Sequence, residues 1–246
     1  MTWALRFHGV GNSSAVELGS AMATIERDGK PWLTIDCGSE GLTAYLAHYG
    51  AYPQALFITH THLDHVGGFE RLFSANHFAT PRRDGTRVYV PAALVPLLQQ
   101  RIGSYPNVVA EGGANFWDAF RLIPVDGAFW HDGMRLEAFA ARHHWPDTAF
   151  GLRLRGSLAW TGDTRPIPEQ LAKFAGADEL VAHDCALHGN PSHSGVDDLE
   201  RDVLRLAAEG RTNDEIADSL AQQRTRVTGE LLPPLIHVSD INSVAL

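Results

Sequence analysis

Apolar and polar residues alternate over 3–8, 21–27 and 32–37 in the manner of β-strands. The Asp-Gly-Lys-Pro segment at 28–31 predicts a turn between two of these strands, and residues 41–49 have the spacing of a short helix. The chain is therefore expected to open as a β-meander and to reach a buried strand just before residue 60. The predicted strands of this part are 3–8, 21–27, 32–37 and 55–59.

The rest of the chain mixes helical spacing with short apolar runs, and only 103–117 carries weak signals. Ser194 is predicted to cap a long helix, and Thr212 with Glu215 forms a capping box for another. Both helices fall in the last third of the chain. The other predicted helices are 69–75, 92–101 and 167–174, and the other predicted strands are 87–91, 120–125, 134–141, 149–155, 157–161, 179–182 and 235–238.

The order of these elements predicts an α/β protein. Strands come first, and strands then mix with helices twice over, which favours two sheets packed face to face with helices outside. A chain of 246 residues that is 44% hydrophobic can bury one large core, and no repeat or linker divides it. We expect a single domain over 1–246, with the polar strand ends gathered along one edge.

Two features of the sequence bear on the cellular compartment. Residues 1–8 lack the basic and long apolar regions of a signal peptide, and the apolar stretch 92–98 contains Pro96 and is too short to span a bilayer. Cys37 and Cys185 are far apart in the sequence and support no disulfide framework. We expect a cytoplasmic protein that makes no membrane contact.

The charge and the histidine content narrow the possible functions. A net charge of −9 argues against a general binder of polyanions, because such binding depends on many lysine and arginine contacts to phosphates. The chain also has 13 histidines, concentrated in 59–66 and 183–193, with the His143-His144 pair between them. This concentration directs attention to metal or catalytic chemistry.

Three histidines and one aspartate follow the predicted strand 55–59 within six residues. Side chains alternate along a strand, so His60, His62 and Asp64 can project to one side while His65 enters the next turn. A lone histidine at a strand end is more often a surface residue, but this cluster has no packing rationale. Imidazole and carboxylate ligands suit Zn²⁺, Fe²⁺ or Mn²⁺, so the sequence predicts a metal site.

The segment Thr-His-Thr-His-Leu-Asp-His-Val-Gly-Gly at 59–68 resembles the HxHxDH signature of the metallo-β-lactamase superfamily. Ile-Asp-Cys-Gly at 35–38 is similar to the strand-ending Asp-x-Gly of that family, and Thr-Gly-Asp-Thr at 161–164 is similar to its later Gly-Asp turn. The resemblance covers nearly the whole chain. It implies an α/β fold, the four-layer αββα sandwich of the metallo-β-lactamase type.

The resemblance also implies two divalent metal ions, with zinc expected and manganese or iron as alternatives. Asp163 would bridge the two ions, and a histidine of the 143–144 pair would complete the first site. We choose His143 because it stands three residues before Pro146, although strand alternation leaves His144 open. The implied ligands are His60, His62 and His143 for the first ion, and Asp64, His65 and His237 for the second.

Segments in the last third resemble the branch of the family that contains the tRNA 3′-processing endonuclease RNase Z and related phosphodiesterases. These are His183-Asp184, His193-Ser194 and 235–239, and the Gly-rich segment 7–13 is also similar to that branch. Asp184 replaces the usual glutamate. Only 19 residues separate His143 from Asp163, which leaves no room for a long tRNA-gripping arm. We therefore expect a small or cyclic phosphodiester substrate and no extended nucleic-acid surface.

The implied mechanism is hydrolysis by a metal-bound hydroxide that attacks phosphorus. Asp64 would orient this hydroxide or accept its proton, and His193, supported by Asp184, would protonate the leaving alkoxide. His183 and His188 receive no role. The chain is expected to act on a small molecule, either as a monomer or as a homodimer.

Three rival functions are compatible with the motif. The first is hydrolysis of a carbonyl substrate such as a thioester, lactone or β-lactam, which has less need of the His193 and Asp184 pair. The second is a redox di-iron protein, which would ordinarily carry a flavin domain. The third is a non-catalytic scaffold, disfavoured because all the matched ligand positions are intact.

Overall fold

The computed structural model describes residues 2–79, 85–105, 108–110, 112–175 and 179–208. Most strands lie within two residues of the predicted bounds. The strands are β1 (Trp3–Gly9), β2 (Met22–Arg27), β3 (Lys30–Ile35), β4 (Ala55–Phe57), β5 (Thr86–Pro91), β6 (Val108–Val109), β7 (Gly112–Gly113), β8 (Phe120–Val125), β9 (Ala128–His131), β10 (Met134–Ala140), β11 (Phe150–Leu154), β12 (Leu158–Trp160) and β13 (Leu180–Ala182).

Helices connect several of these strands. Short 3₁₀ segments cover Val16–Leu18, Ala92–Leu94 and Phe116–Ala119, and a π-helical turn covers Gln99–Gly103. The predicted helix 92–101 is thus a succession of three helical types rather than one regular helix. The α-helices are α1 (Ser39–Tyr49), α2 (Leu63–Val66), α3 (Phe69–His77), α4 (Val95–Leu98), α5 (Pro168–Ala175) and α6 (Val196–Ala208).

The strands form two mixed sheets. The first sheet has the order β1-β2-β3-β4-β5-β8, antiparallel from β1 to β3 and parallel from β3 to β8. The second has the order β13-β12-β11-β10-β9, with β12 and β13 parallel and the other pairs antiparallel. A separate hairpin pairs β6 with β7 in the region where the sequence signals were weak.

The facing surfaces of the two sheets form one apolar core. Leu33, Ile35 and Phe57 of the first sheet are fully buried in the same cluster as Leu152 of the second. The rings of Phe57 and Phe129 stack across the interface with centroids 5.8 Å apart. The alternation that predicted the strands therefore supplies one apolar face of each sheet.

Helices cover the outer faces of both sheets. Leu42 of α1 and Phe69 and Phe73 of α3 are buried in a cluster on the first sheet. Phe174 of α5 packs with Val181 on the second sheet. The architecture is the expected four-layer αββα sandwich of the metallo-β-lactamase type.

One local prediction is wrong, and one strand of the second sheet was missed. Ser194 does not cap α6, because its hydroxyl donates to the carbonyl of Thr164 and the helix begins two residues later. Strand β9 was not predicted, because its four residues give too short an alternation for sequence reading to distinguish. The predicted helix at Thr212 to Glu215, the strand 235–238 and His237 lie outside the described residues.

Within the described ranges, no helix has both the length and the apolar character that crossing a bilayer would require.

Truncation of Phe57 tests the inter-sheet core. Phe57→Ala is expected to lower the free energy of unfolding by about 3–5 kcal/mol, because it removes a buried ring and leaves a cavity between the sheets. Urea denaturation followed by circular dichroism measures the change. Trp130→Ala, which truncates an exposed ring on β9, is the control and should change stability little. Equal stability of the two variants would contradict this description of the core.

Candidate metal centre

The polar segments that follow several strands meet at one edge of the sandwich. Asp36 follows β3, His60 lies just beyond β4, Asp163 follows β12 and Asp184 follows β13. A backbone hydrogen bond of 2.9 Å from Phe150 to Thr59 joins the two sheets at this edge. The shared edge follows from parallel pairing of β3 with β4 and of β12 with β13, which places the carboxyl ends of both strands of each pair on the same side.

Close backbone approach holds the histidine motif against the end of β3. The Cys37 amide donates to the His65 carbonyl at 2.7 Å, and the Gly68 amide donates to the Cys37 carbonyl at 2.8 Å. A Cβ atom at Gly38 would collide with the Asp64 carbonyl oxygen and with Ser20 Oγ. Only glycine therefore allows α1 to begin so close to the motif.

Four side chains converge in what we call the His60 cluster, made of His60, His62, His143 and Asp163. His62 Nδ1 lies 3.0 Å from His60 Nε2 and 3.3 Å from His143 Nε2. Asp163 Oδ2 lies 3.7 Å from His60 Nε2 and 3.6 Å from His143 Nε2. All four candidate ligand atoms lie within 4.8 Å of one another.

A second set, which we call the His65 group, consists of Asp64, His65 and Asp163. His65 Nε2 lies 3.4 Å from Asp163 Oδ1 and 3.8 Å from Asp64 Oδ2. The two oxygens of Asp163 thus face different sets of ligands, Oδ2 the His60 cluster and Oδ1 the His65 group. This is the arrangement that a bridging carboxylate requires.

Hydrogen bonds on the far sides of the imidazole rings decide which nitrogens face inward. The Thr59 hydroxyl donates to Asp36 at 2.7 Å, so its oxygen can accept from His60 Nδ1 at 3.1 Å. His143 Nδ1 donates to the Ser192 carbonyl at 2.9 Å. In both rings this leaves the Nε2 lone pair directed into the cluster.

Asp36 fixes the ring of His65 in the same way. His65 Nδ1 lies 2.7 Å from Asp36 Oδ2, and Asp36 Oδ1 accepts from the Thr59 amide at 2.8 Å. Asp36 adopts a left-handed backbone conformation with φ of 62° to make these contacts. Burial raises the pKa of Asp36, while His65 and Thr59 act to lower it. Asp36 therefore positions a candidate ligand without being one.

The electrostatics of the site leave two rings of the His60 cluster in the form that binds a metal ion. Burial lowers the pKa of His60 well below its ordinary value and lowers the pKa of His143 to about 4, so both rings are neutral near pH 7. Neutral imidazole is the form that binds a metal ion. Burial also opposes charge on His65, yet Asp163 and Asp36 raise the pKa of His65 well above its ordinary value.

The donor atoms of the His60 cluster are of the kinds that hold a divalent cation. Inward-facing imidazole lone pairs a few ångströms apart repel one another unless a cation or a proton lies between them. Three nitrogen donors and one carboxylate in a buried cluster match the ligand types of zinc and of similar divalent ions. The donor set of the His60 cluster therefore fits a divalent metal ion.

His143 and His144 have different environments. His143 is buried and belongs to the His60 cluster, whereas the exposed His144 has its Nδ1 3.4 Å from Ser192 Oγ. The rings of His144 and His62 are 4.9 Å apart, which places His144 at the rim of the cluster. Of the pair that strand alternation left open, the structure brings His143 to the other candidate ligands.

His193 and Asp184 form a hydrogen-bonded pair beside the cluster. His193 Nδ1 lies 2.7 Å from Asp184 Oδ2, which also accepts from the Thr164 amide at 2.9 Å. The rings of His193 and His143 are 4.9 Å apart. The buried His183 donates instead to the Asp184 carbonyl, and His188 is exposed in the loop that precedes His193. His237 lies outside the described residues.

Several supporting residues were not identified from the sequence. Asn190 accepts from the amides of Ser192 and His193 at 2.8 and 3.0 Å and so shapes the turn that carries His193. The Asn-Pro-Ser sequence at 190–192 could have indicated such a turn. Thr164 and Ser192 hold Asp184 and His143 through contacts between distant segments, for which the sequence contains no signal.

Comparison with known proteins agrees with this geometry. The protein has the metallo-β-lactamase fold. The sequence model of the family described as Anti-Pycsar protein Apyc1 matches residues 3–209, and the chain belongs to that family.

Three similar proteins illustrate the relationship. The Anti-Pycsar protein Apyc1 of Saccharibacillus brassicae is 30% identical over 207 residues, which cover 79% of this chain and 82% of the relative. The metallo-beta-lactamase fold protein YhfI from Bacillus subtilis has a TM-score of 0.64 at 14% identity and covers 96% of each chain. The short form of human tRNase Z has a TM-score of 0.55 at 18% identity, covering 83% of this chain and 87% of that one. The two solved structures show the shared fold alone.

Replacement of Asp36 tests whether it positions His65. Asp36→Asn is expected to lower the affinity for zinc by about 10–100-fold, because an amide no longer fixes the Nδ1–H tautomer of His65. Competition with a chromogenic chelator measures the affinity. Asp126→Asn, in the exposed turn between β8 and β9, is the matched control. Unchanged zinc affinity in Asp36→Asn would show that the hydrogen bond does not support the site.

Proposed function

We propose that this chain is a dinuclear metal-dependent phosphodiesterase that hydrolyses a cyclic nucleotide. The observation that carries the proposal is the placement of Asp163 between the His60 cluster and the His65 group, with one carboxylate oxygen facing each. The name of the family to which the chain belongs suggests cyclic-nucleotide degradation.

The two groups of side chains would hold two ions. The His60 cluster would hold the first, and the His65 group with His237 would hold the second, with Asp163 shared. When bound, a pair of divalent cations activates water near neutral pH and neutralises charge that develops on a phosphoryl group. We expect zinc, with manganese or iron as alternatives.

The protein's own residues would handle the protons. Asp64 lies on the edge of the His65 group, where it can orient the attacking water or accept its proton. His193 would protonate the leaving alkoxide through Nε2, because its Nδ1 is engaged with Asp184. The Asp184 carboxylate accepts from Nδ1 of His193 and holds the ring next to that of His143.

A phosphodiester explains the His193 and Asp184 pair better than a carbonyl substrate does. Hydrolysis of an alkyl phosphodiester expels an alkoxide, which needs a proton as it leaves. Asp163, Asp184 and His193 have polar atoms within 4.8 Å of one another, so a proton donor adjoins the candidate metal centre.

A small substrate is favoured by the connections around the site. Between His143 and Asp163 the chain forms only a short loop and the hairpin of β11 and β12. No long arm projects there to hold a folded nucleic acid, and the net charge of −9 disfavours a large polyanion.

Turnover of a cyclic nucleotide by protein of assayed metal content is the first test. Nucleoside 3′,5′-cyclic monophosphates should be hydrolysed, and activity should be lost on chelation and restored by zinc or manganese. Asp163→Ala should be inactive and bind less metal, because it removes a ligand from both sets. Thioester, lactone and β-lactam substrates run in parallel; turnover of these alone would replace the proposal with carbonyl hydrolysis.

The leaving group tests the role of His193. His193→Ala should slow cleavage of a substrate with an alkoxide leaving group by about 10²–10⁴-fold. Cleavage of bis(p-nitrophenyl) phosphate should slow far less, because p-nitrophenolate leaves without a proton. His188→Ala removes an exposed histidine from the same loop and is the control. Equal losses on both substrates would refute the proton-donor role.

A further inference from the structure

Large apolar side chains are exposed beside the candidate metal centre. Trp145 is 80% exposed, and Leu63 is 58% exposed. Together with Trp130, at 67%, they are the three most exposed large hydrophobic residues in the part of the chain that the structure describes. An exposed indole next to a polar site has no role in packing, and clustered exposed apolar groups commonly mark binding surfaces.

Both residues adjoin candidate ligands. Leu63 lies between His62 and Asp64 in the motif, and Trp145 lies two residues after His143. Two residues of chain span at most about 7 Å, so the backbone of Trp145 is close to the His60 cluster. The ring of His144 lies 4.0 Å from that of His143 and 4.9 Å from that of His62. Trp145 therefore comes directly after His144, the histidine at the rim of the His60 cluster.

The 141–149 loop, which carries Trp145, is held in a defined conformation. The Ala141 amide donates to the Ala149 carbonyl at 3.0 Å and closes the base of the loop. The Thr148 hydroxyl donates to the Trp145 carbonyl at 2.7 Å. The Arg142 amide donates to Thr164 Oγ1 at 3.0 Å and ties the loop to the segment after Asp163. A loop held at these points presents the ring at little further loss of backbone entropy.

We propose that the indole of Trp145 is the surface on which the base of a cyclic nucleotide stacks at the mouth of the candidate metal centre. The proposal deepens the proposed function and rests on it. A base is flat and aromatic, and it is attached to the same small sugar phosphate that would enter the cluster. Leu63, which is exposed and directly follows His62, is available as a further apolar contact for the same ligand.

The chemistry of stacking explains why tryptophan suits this position. Stacking on an aromatic side chain depends on the π-face that every base has, so it gives affinity without strict selection among bases. Trp145 needs no hydrogen-bond partner for this, since its face rather than its edge is used. The protein has a net negative charge, and stacking on the base would give it affinity for a nucleotide whose phosphate is anionic.

Comparison of a nucleotide with a base-free substrate tests the proposal. The substrates are a nucleoside 3′,5′-cyclic monophosphate and 1-O-methylribose 3,5-cyclic phosphate. In Trp145→Ala, the ratio of kcat/KM for the nucleotide to that for the base-free analogue should fall by about 5–150-fold, mainly through KM. Trp145→Phe should keep most of the ratio. Trp130→Ala, which removes the exposed tryptophan of β9, should leave it unchanged.

A binding measurement separates this proposal from the proposed function. Chelated, cation-free protein is titrated with the same nucleotide, and tryptophan fluorescence is recorded. Quenching should occur in the wild type and in Trp130→Phe, and should be lost in Trp145→Phe, which still binds. A ratio of kcat/KM unchanged in Trp145→Ala, or quenching unchanged in Trp145→Phe, would overturn the stacking proposal. Absence of phosphodiester turnover in the wild type, with quenching intact, would overturn the function and leave the binding site standing.

Discussion

The buried hydrogen bonds of Asp36 are the constraint on which the rest of the site depends. This single carboxylate accepts from the amide and hydroxyl of Thr59 and from the ring of His65, so it joins the end of β3 to the end of β4 and to α2. Through the Thr59 hydroxyl the same network extends to His60. One residue that is not a ligand thereby sets the orientation of a histidine in each of the two ligand sets.

The buried imidazoles and carboxylates of the site lower the free energy of unfolding, although they are the groups that could hold metal ions. Burying several imidazoles and carboxylates together opposes folding, because each loses its hydration. The pKa values of His60 and His65 shift in opposite directions. Burial keeps the His60 ring neutral, whereas Asp163 and Asp36 raise the pKa of His65 and favour its protonated ring. The inward-facing lone pairs of the imidazole rings repel one another. A cation bound among them would offset this repulsion, so metal binding and stability would be linked.

The second sheet carries the residues that, in the proposed function, would distinguish one substrate from another. Thr164 is the common support, since it holds Asp184, the 141–149 loop and Ser194 through separate hydrogen bonds. The 141–149 loop, which is hydrogen-bonded to Thr164, carries His143 and Trp145. Ser194, which is also hydrogen-bonded to Thr164, directly follows His193. The first sheet thus supplies most of the candidate ligands, and the second supplies the groups that would meet the leaving group and the base.

Sequence alone determined the local features. Alternation and helical spacing located most strands and helices, and the six-residue motif with Asp163 predicted a metal site, because these signals lie within short stretches of chain. Tertiary structure alone decided which of His143 and His144 faces the cluster, that Ser194 anchors a loop instead of capping α6, and that Asp36 supports His65. Each of these depends on contacts between segments at least twenty residues apart, such as Asp36 with His65 and Ser194 with Thr164. Periodicity indicates only which face of its strand or helix a residue occupies. The partner of the residue on that face is determined when the sheets pack together.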